Sequence, residues 1–105
     1  MYNICVFVPV SHLESVKKAM FQAGGGHIGD YDCCSWQTLG QGQFRPLAGS
    51  QPFIGQQNQI EIVDEYRLEM VCEDDCMQAV VDVMKHKHPY ETPAFHINLL
   101  CDDFK

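Results

Sequence analysis

An α+β fold with the element order βαββαβ is predicted by three observations. Four segments carry apolar residues at strand spacing: 3–10, 31–39, 60–72 and 94–100. Two segments between them carry apolar stripes at helical spacing: Leu13, Val16, Met20 and Ala23, then Met77, Val80, Val81 and Met84. Glycine and proline punctuate the joints, at Gly24-Gly25-Gly26, Pro89 and Pro93.

Each element has a local cause. Residues 3–10 are rich in β-branched side chains, which favour strand. Ser11 and Glu14 have the spacing of a capping box, so a helix is expected to start there. Three glycines end it. The second strand is read from Tyr31 to Leu39. Residues 40–59 then read as a long arm, rich in glycine and poor in charge. In the third strand Ile60, Ile62, Tyr66, Leu68, Met70 and Cys72 alternate with Glu61, Glu65, Arg67 and Glu69, giving one buried and one wetter face. Asp74 or Asp75 opens the second helix. Its last turn, Lys85-His86-Lys87-His88, puts cations where the helix dipole favours them. Pro89 lacks an N–H and stops the helix. Pro93 pushes residue 92 toward extended geometry, so a last strand starts at Ala94.

Two βαβ halves in succession are the ferredoxin-like plan, with two helices on one face of a four-stranded antiparallel sheet. The second face is left bare. Cys5 and Phe7 point there if Ile4, Val6 and Val8 face the helices. An apolar second face implies burial against another copy of the chain.

Composition bounds the function. A chain of 105 residues is expected to form one domain, 1–105. The formal charge of −7 argues against nucleic acid and against an anionic membrane surface. No secretory signal or membrane-spanning run is read, and the six cysteines lack a secreted framework, so reduced thiols in the cytoplasm are expected.

The densest polar stretch is His88-Pro89-Tyr90-Glu91, a rigid corner between helix and strand. His88 and Glu91 are candidate metal ligands. The alternative is structural: Glu91 accepts backbone N–H groups of the turn and His88 closes the helix. A second polar corner holds His27, Cys33 and Cys34, also candidate ligands, against the alternative that the cysteines are small packing residues. Thiolates suit Cu(I), while imidazole and carboxylate suit a divalent ion. Tyr90 and Arg45 are candidate ligand-binding residues, Arg45 being the only cation near Gly40-Gln41-Gly42. No zinc-finger spacing, phosphate-binding glycine loop or nucleophile–base pair is found.

Four motifs in order carry a resemblance across nearly the whole chain. They are Gly25-Gly26-His27-Ile28-Gly29-Asp30-Tyr31-Asp32-Cys33-Cys34-Ser35-Trp36, Gly40 to Pro46 with Pro52-Phe53-Ile54-Gly55, Glu65 to Glu69, and His88 to Phe95. They resemble the NGG-interacting-factor-like family, the GTP cyclohydrolase type 2 homologues. In long members this stretch is an inserted PII/CutA-like domain, while flanking domains carry the dinuclear metal ligands and any hydrolase activity. The resemblance therefore implies a stand-alone PII/CutA-like module rather than an enzyme. The 88–93 turn also resembles that of CutA, a trimeric protein associated with divalent cation tolerance, which implies a homotrimer.

The resulting expectation is a trimeric, cytoplasmic module that binds a metal ion or small ligand in a regulatory or partner-binding role. The rival expectations are a purely structural interaction protein and, third, a metal-dependent hydrolase.

Overall fold

The computed structural model describes residues 1–101, 103 and 104. Strand β1 (Tyr2–Pro9) leads through a 3-10 turn (Val10–His12) into helix α1 (Leu13–Gln22). Strands β2 (Trp36–Phe44) and β3 (Glu61–Cys72) form a long hairpin. A second 3-10 turn (Asp74–Cys76) leads into α2 (Met77–Lys87), and β4 (Phe95–Leu99) closes the sheet. The sheet order is β2-β3-β1-β4, every pair antiparallel. This is the ferredoxin-like arrangement that the element order predicts.

The core lies between the sheet and its two helices. Ile4, Val6 and Val8 alternate inward on β1, and Leu68, Met70 and Cys72 on β3. The register sets Ile4 opposite Met70 and Val6 opposite Leu68. Val16 and Met20 from α1, and Val80 and Met84 from α2, complete the layer with no exposed surface. Burial of each large side chain stabilises by about 1.5–3 kcal/mol.

The second helix starts at Met77, after a 3-10 turn, rather than at Asp74 or Asp75, and three other boundaries differ from expectation. First, no capping box forms at Ser11. Residues 10–12 take a 3-10 turn, the cap of α1 is His12, and the Ser11 hydroxyl bonds the His12 ring at 2.8 Å. Second, β2 starts at Trp36 rather than Tyr31. Ile28 and Tyr31 exchange backbone hydrogen bonds at 2.9 Å in a tight reversal, and Cys33 has a positive φ of 54°, which breaks strand geometry. Third, β2 runs through Gly40 and Gly42 to Phe44, so the arm begins at residue 45. Glycine in a strand interior often marks a close approach. Here the Glu65 carboxylate lies against Gly42, where an added Cβ would collide with it.

The second sheet face also differs. Phe7 and Cys5 do belong to it, opposite Arg67 and Glu69 in the register, but the face is mixed rather than apolar. It carries Asn3, Thr38, Glu65, Arg67, Glu69, His96 and Asn98 beside them. Arg67 Nη2 lies 3.4 Å from Glu69 Oε1, and Asn3 Nδ2 donates to the same oxygen at 3.2 Å. The odd positions of β1 read as apolar only because their charged neighbours come from β3.

Candidate functional site

The arm folds back over the second sheet face. Gln51 N–H donates to Glu91 Oε1 at 2.9 Å, and the Phe53 ring meets the His12 ring edge-on with centroids 5.4 Å apart. Within the arm, Asn58 N–H bonds the Pro46 carbonyl at 2.6 Å. Between arm and sheet lies a cavity of about 590 Å³. Phe7, Phe44, Phe53 and Ile54 form apolar walls, with Glu65 and Tyr90 among the polar groups lining it. Such a volume falls within the range of small-molecule sites.

The His88–Tyr90 corner braces one side. His88 is 5% exposed. Its Nδ1 accepts the Tyr90 backbone N–H at 3.1 Å, so that nitrogen carries no proton. Nε2 must then hold the proton, which it donates to the Phe7 carbonyl at 2.7 Å. The imidazole is thus held neutral in one tautomer. Burial pushes its pKa below the usual value, against the opposing pull of the Phe7 carbonyl and of Glu65.

Tyr90 turns the corner toward the cavity. Its hydroxyl donates to Glu65 Oε2 at 2.7 Å. Burial, and then the bond to this carboxylate, push the phenol above its usual pKa, so it remains a donor at any physiological pH. Glu65 is 8% exposed and has no cationic partner among the described residues. Its Oε1 takes no hydrogen bond from them.

The candidate residues named from the sequence separate into two places. Tyr90 and Glu91 line the cavity, and His88 stands directly behind Tyr90. Cys34 lies with Asn3 and Trp36 in a smaller hollow near the other end of β1. Asn3 and Phe7 are four residues apart on that strand, about 13 Å at strand rise. His27 and Cys33 are exposed. The five candidate metal ligands are therefore not one cluster, and both His88 nitrogens already have protein partners. Among the described residues no group of three or more His, Cys, Asp or Glu side chains is arranged to hold a metal ion. Arg45 is exposed and does not line the cavity. Of the structural alternative for the corner, His88 does cap the end of α2, while Glu91 accepts the backbone N–H of Gln51 in the arm rather than one from its own turn.

Glu65, Phe7, Phe44 and Phe53 were not named as site residues from the sequence. Glu65 reads there as one more acid on a wetter face. The available signal was the Gly40-x-Gly42 pair on the neighbouring strand, which leaves room for a large side chain opposite; Gly40 is the register partner of Glu65.

Against solved structures, the chain superimposes on the periplasmic divalent cation tolerance protein CutA from Archaeoglobus fulgidus with a TM-score of 0.68. That match covers 100% of this chain and 89% of that one at 17% identity. CutA1 from Pyrococcus horikoshii gives 0.67 at 18% identity, covering 100% and 87%. The fold is CutA-like.

Sequence likeness runs to a different group. A GTP cyclohydrolase 1 type 2 homolog of Mycobacterium leprae is 47% identical over 92 residues, 88% of this chain and 24% of the relative. Its namesake in Halalkalibacterium halodurans is 39% identical over 103 residues, 98% and 28%. A Bacillus cereus protein related to NIF3 gives a TM-score of 0.79 at 38% identity, covering 91% of this chain and 24% of that one. The chain thus spans about a quarter of the length of the curated relatives it matches. No family model matches it. The likeness to GTP cyclohydrolase type 2 homologues read from the four motifs is borne out at this level, as a likeness to one segment of them. No helix among the described residues is long and apolar enough to cross a membrane.

Proposed function

We propose that this chain is a homotrimeric, cytoplasmic module that binds a small ligand in the cavity under its arm and acts in a regulatory or partner-binding role. The cavity carries the reading: it joins an aromatic wall, a buried carboxylate and a braced tyrosine in one place. The arm that covers it is held at Glu91 and at His12. Edge residues support association. Leu39 and Ile62 on the β2–β3 hairpin and Leu99 on β4 are all more than half exposed, at 57%, 60% and 73%. Such apolar edges favour contact with another copy.

Light scattering on the eluted protein gives a mass of three chains if the trimer forms. A monomer at tens of micromolar overturns that part. Thermal-shift screening with amines, nucleosides, Zn(II), Co(II) and Cu(I) under reducing conditions tests ligand binding. Silence throughout removes the ligand reading and leaves a structural interaction module, which the exposed hairpin and β4 residues favour. The relatives are named as homologues of a GTP cyclohydrolase and are about four times as long, and GTP turnover by the isolated chain is the check on a hydrolase reading.

A further inference from the structure

We infer that the cavity takes a planar organic cation with paired N–H donors, of the amidine or guanidine class, held by Glu65. This rests on the ligand-binding reading above and names the class of ligand. Glu65 lies at the cavity wall, 8% exposed, with Oε2 accepting from Tyr90 and Oε1 receiving nothing from the described residues. A ligand that fills the space covers Oε1, which lies against Gly42 on its other side. A ligand without a donor would leave that oxygen dry and unpaired, which is unfavourable. An anion would add like charge beside a buried carboxylate.

The lining charges are Glu65, Glu91 and Arg67. Arg67 turns its Nη2 to Glu69, 3.4 Å away and outside the cavity, which leaves two carboxylates against one guanidinium in the lining. The walls fit a flat cation as well. The Phe44 and Phe53 rings stand 5.8 Å and 6.5 Å from the Tyr90 ring, tilted at 58° and 48°. Ring faces attract a cation placed over them. A carboxylate and a planar pair of N–H donors meet in a bidentate fork, which adds direction to charge.

Three isosteric compounds of different charge separate the possibilities: benzamidine, benzamide and benzoate, titrated into the native protein by calorimetry at pH 7. Benzamidine is expected to bind at least about tenfold more tightly than benzoate, a difference of ~1.4 kcal/mol. Glu65→Gln, nearly the same shape, is expected to remove about tenfold of the benzamidine affinity and to leave benzamide little changed. Equal or tighter binding of benzoate, or an unaltered benzamidine affinity in Glu65→Gln, overturns the inference while the ligand-binding reading stands. Silence of all three compounds overturns the inference, while the wider screen then decides the reading itself. The comparison of charges within the wild-type protein holds even if the variant folds poorly.

Discussion

Tyr90 and Glu65 meet across the cavity rim, hydroxyl to carboxylate at 2.7 Å, from positions 25 residues apart in the chain. One residue follows the helix-ending Pro89 and the other sits in the middle of β3. Their contact joins the corner to the sheet. It also supplies the one hydrogen bond that a mostly buried carboxylate receives from the described residues.

Tyr90→Phe keeps the ring and removes that bond. Loss of a hydrogen bond to a buried charged group should destabilise by about 1–3 kcal/mol. In the Glu65→Gln background the same change should cost less, because an amide is easier to leave unpaired than a carboxylate. Urea unfolding of the four proteins gives the coupling energy directly. A coupling near zero would mean that the contact carries no stability.

Gly42 and Gly40 make a matched pair on one face of β2. A Cβ at Gly42 would collide with the Glu65 carboxylate, while nothing lies within 4 Å of one at Gly40. Gly42→Ala should therefore push the Glu65 carboxylate aside and weaken its bond to Tyr90, destabilising by about 0.5–1.5 kcal/mol. Gly40→Ala should be neutral or stabilise by about 0.5–1 kcal/mol, because alanine loses less backbone freedom on folding. Thermal unfolding of both variants is the measurement. Equal shifts would mean that the Glu65 carboxylate yields without cost and that its bond to Tyr90 does not hold it in place.

This pair also shows where sequence reading stops. The four strands, the two helical stripes and the face that each presents to the core were legible from period alone, since Ile4, Val6 and Val8 and then Leu68, Met70 and Cys72 follow strict alternation. The strand boundaries were less so. Gly40 and Gly42 look like loop residues until their register partners are known, and those partners are remote in sequence. Tyr90 and Glu91 stood out because proline fixes their corner. Glu65 did not, because the residues that pack on its carboxylate, Gly42 and Tyr90, are remote from it in sequence. The mixed character of the second face was hidden for the same reason: Phe7 is apolar in sequence, but its neighbours Arg67 and His96 arrive from other strands.

The cysteines should divide by burial. Cys5 and Cys72 are 2% and 1% exposed. Burial pushes both thiols up, Cys72 to about 11, with the nearby acidic side chains and Cys76 adding to the shift at Cys72. The thiolate is the reactive form, so neither should react at neutral pH. Cys33 and Cys101 are exposed. A brief pulse of N-ethylmaleimide at pH 7 followed by peptide mass mapping should modify Cys33 and Cys101 and spare Cys5 and Cys72 until the protein unfolds. Early modification of Cys5 would contradict its cover by the second-face side chains.

Acid should loosen the corner through His88. Its folded pKa lies below the unfolded value of about 6.5, because burial disfavours the imidazolium. The unfolded chain therefore takes up the proton first. The neutral form contributes its full stability above about pH 6.5, and that contribution falls away as the pH drops toward the depressed folded value. Protonation would also put a proton on Nδ1, against the Tyr90 N–H that it accepts at 3.1 Å. Glu65 opposes the loss weakly by favouring the cation, and His12 reinforces it. Unfolding free energy measured from pH 7.5 to 5 should decline below about 6.5. His88→Gln retains an amide N–H for the Phe7 carbonyl and does not titrate in this range. It should lower stability at pH 7.5 and flatten the decline. A wild-type slope that survives the substitution would assign the titration to another group.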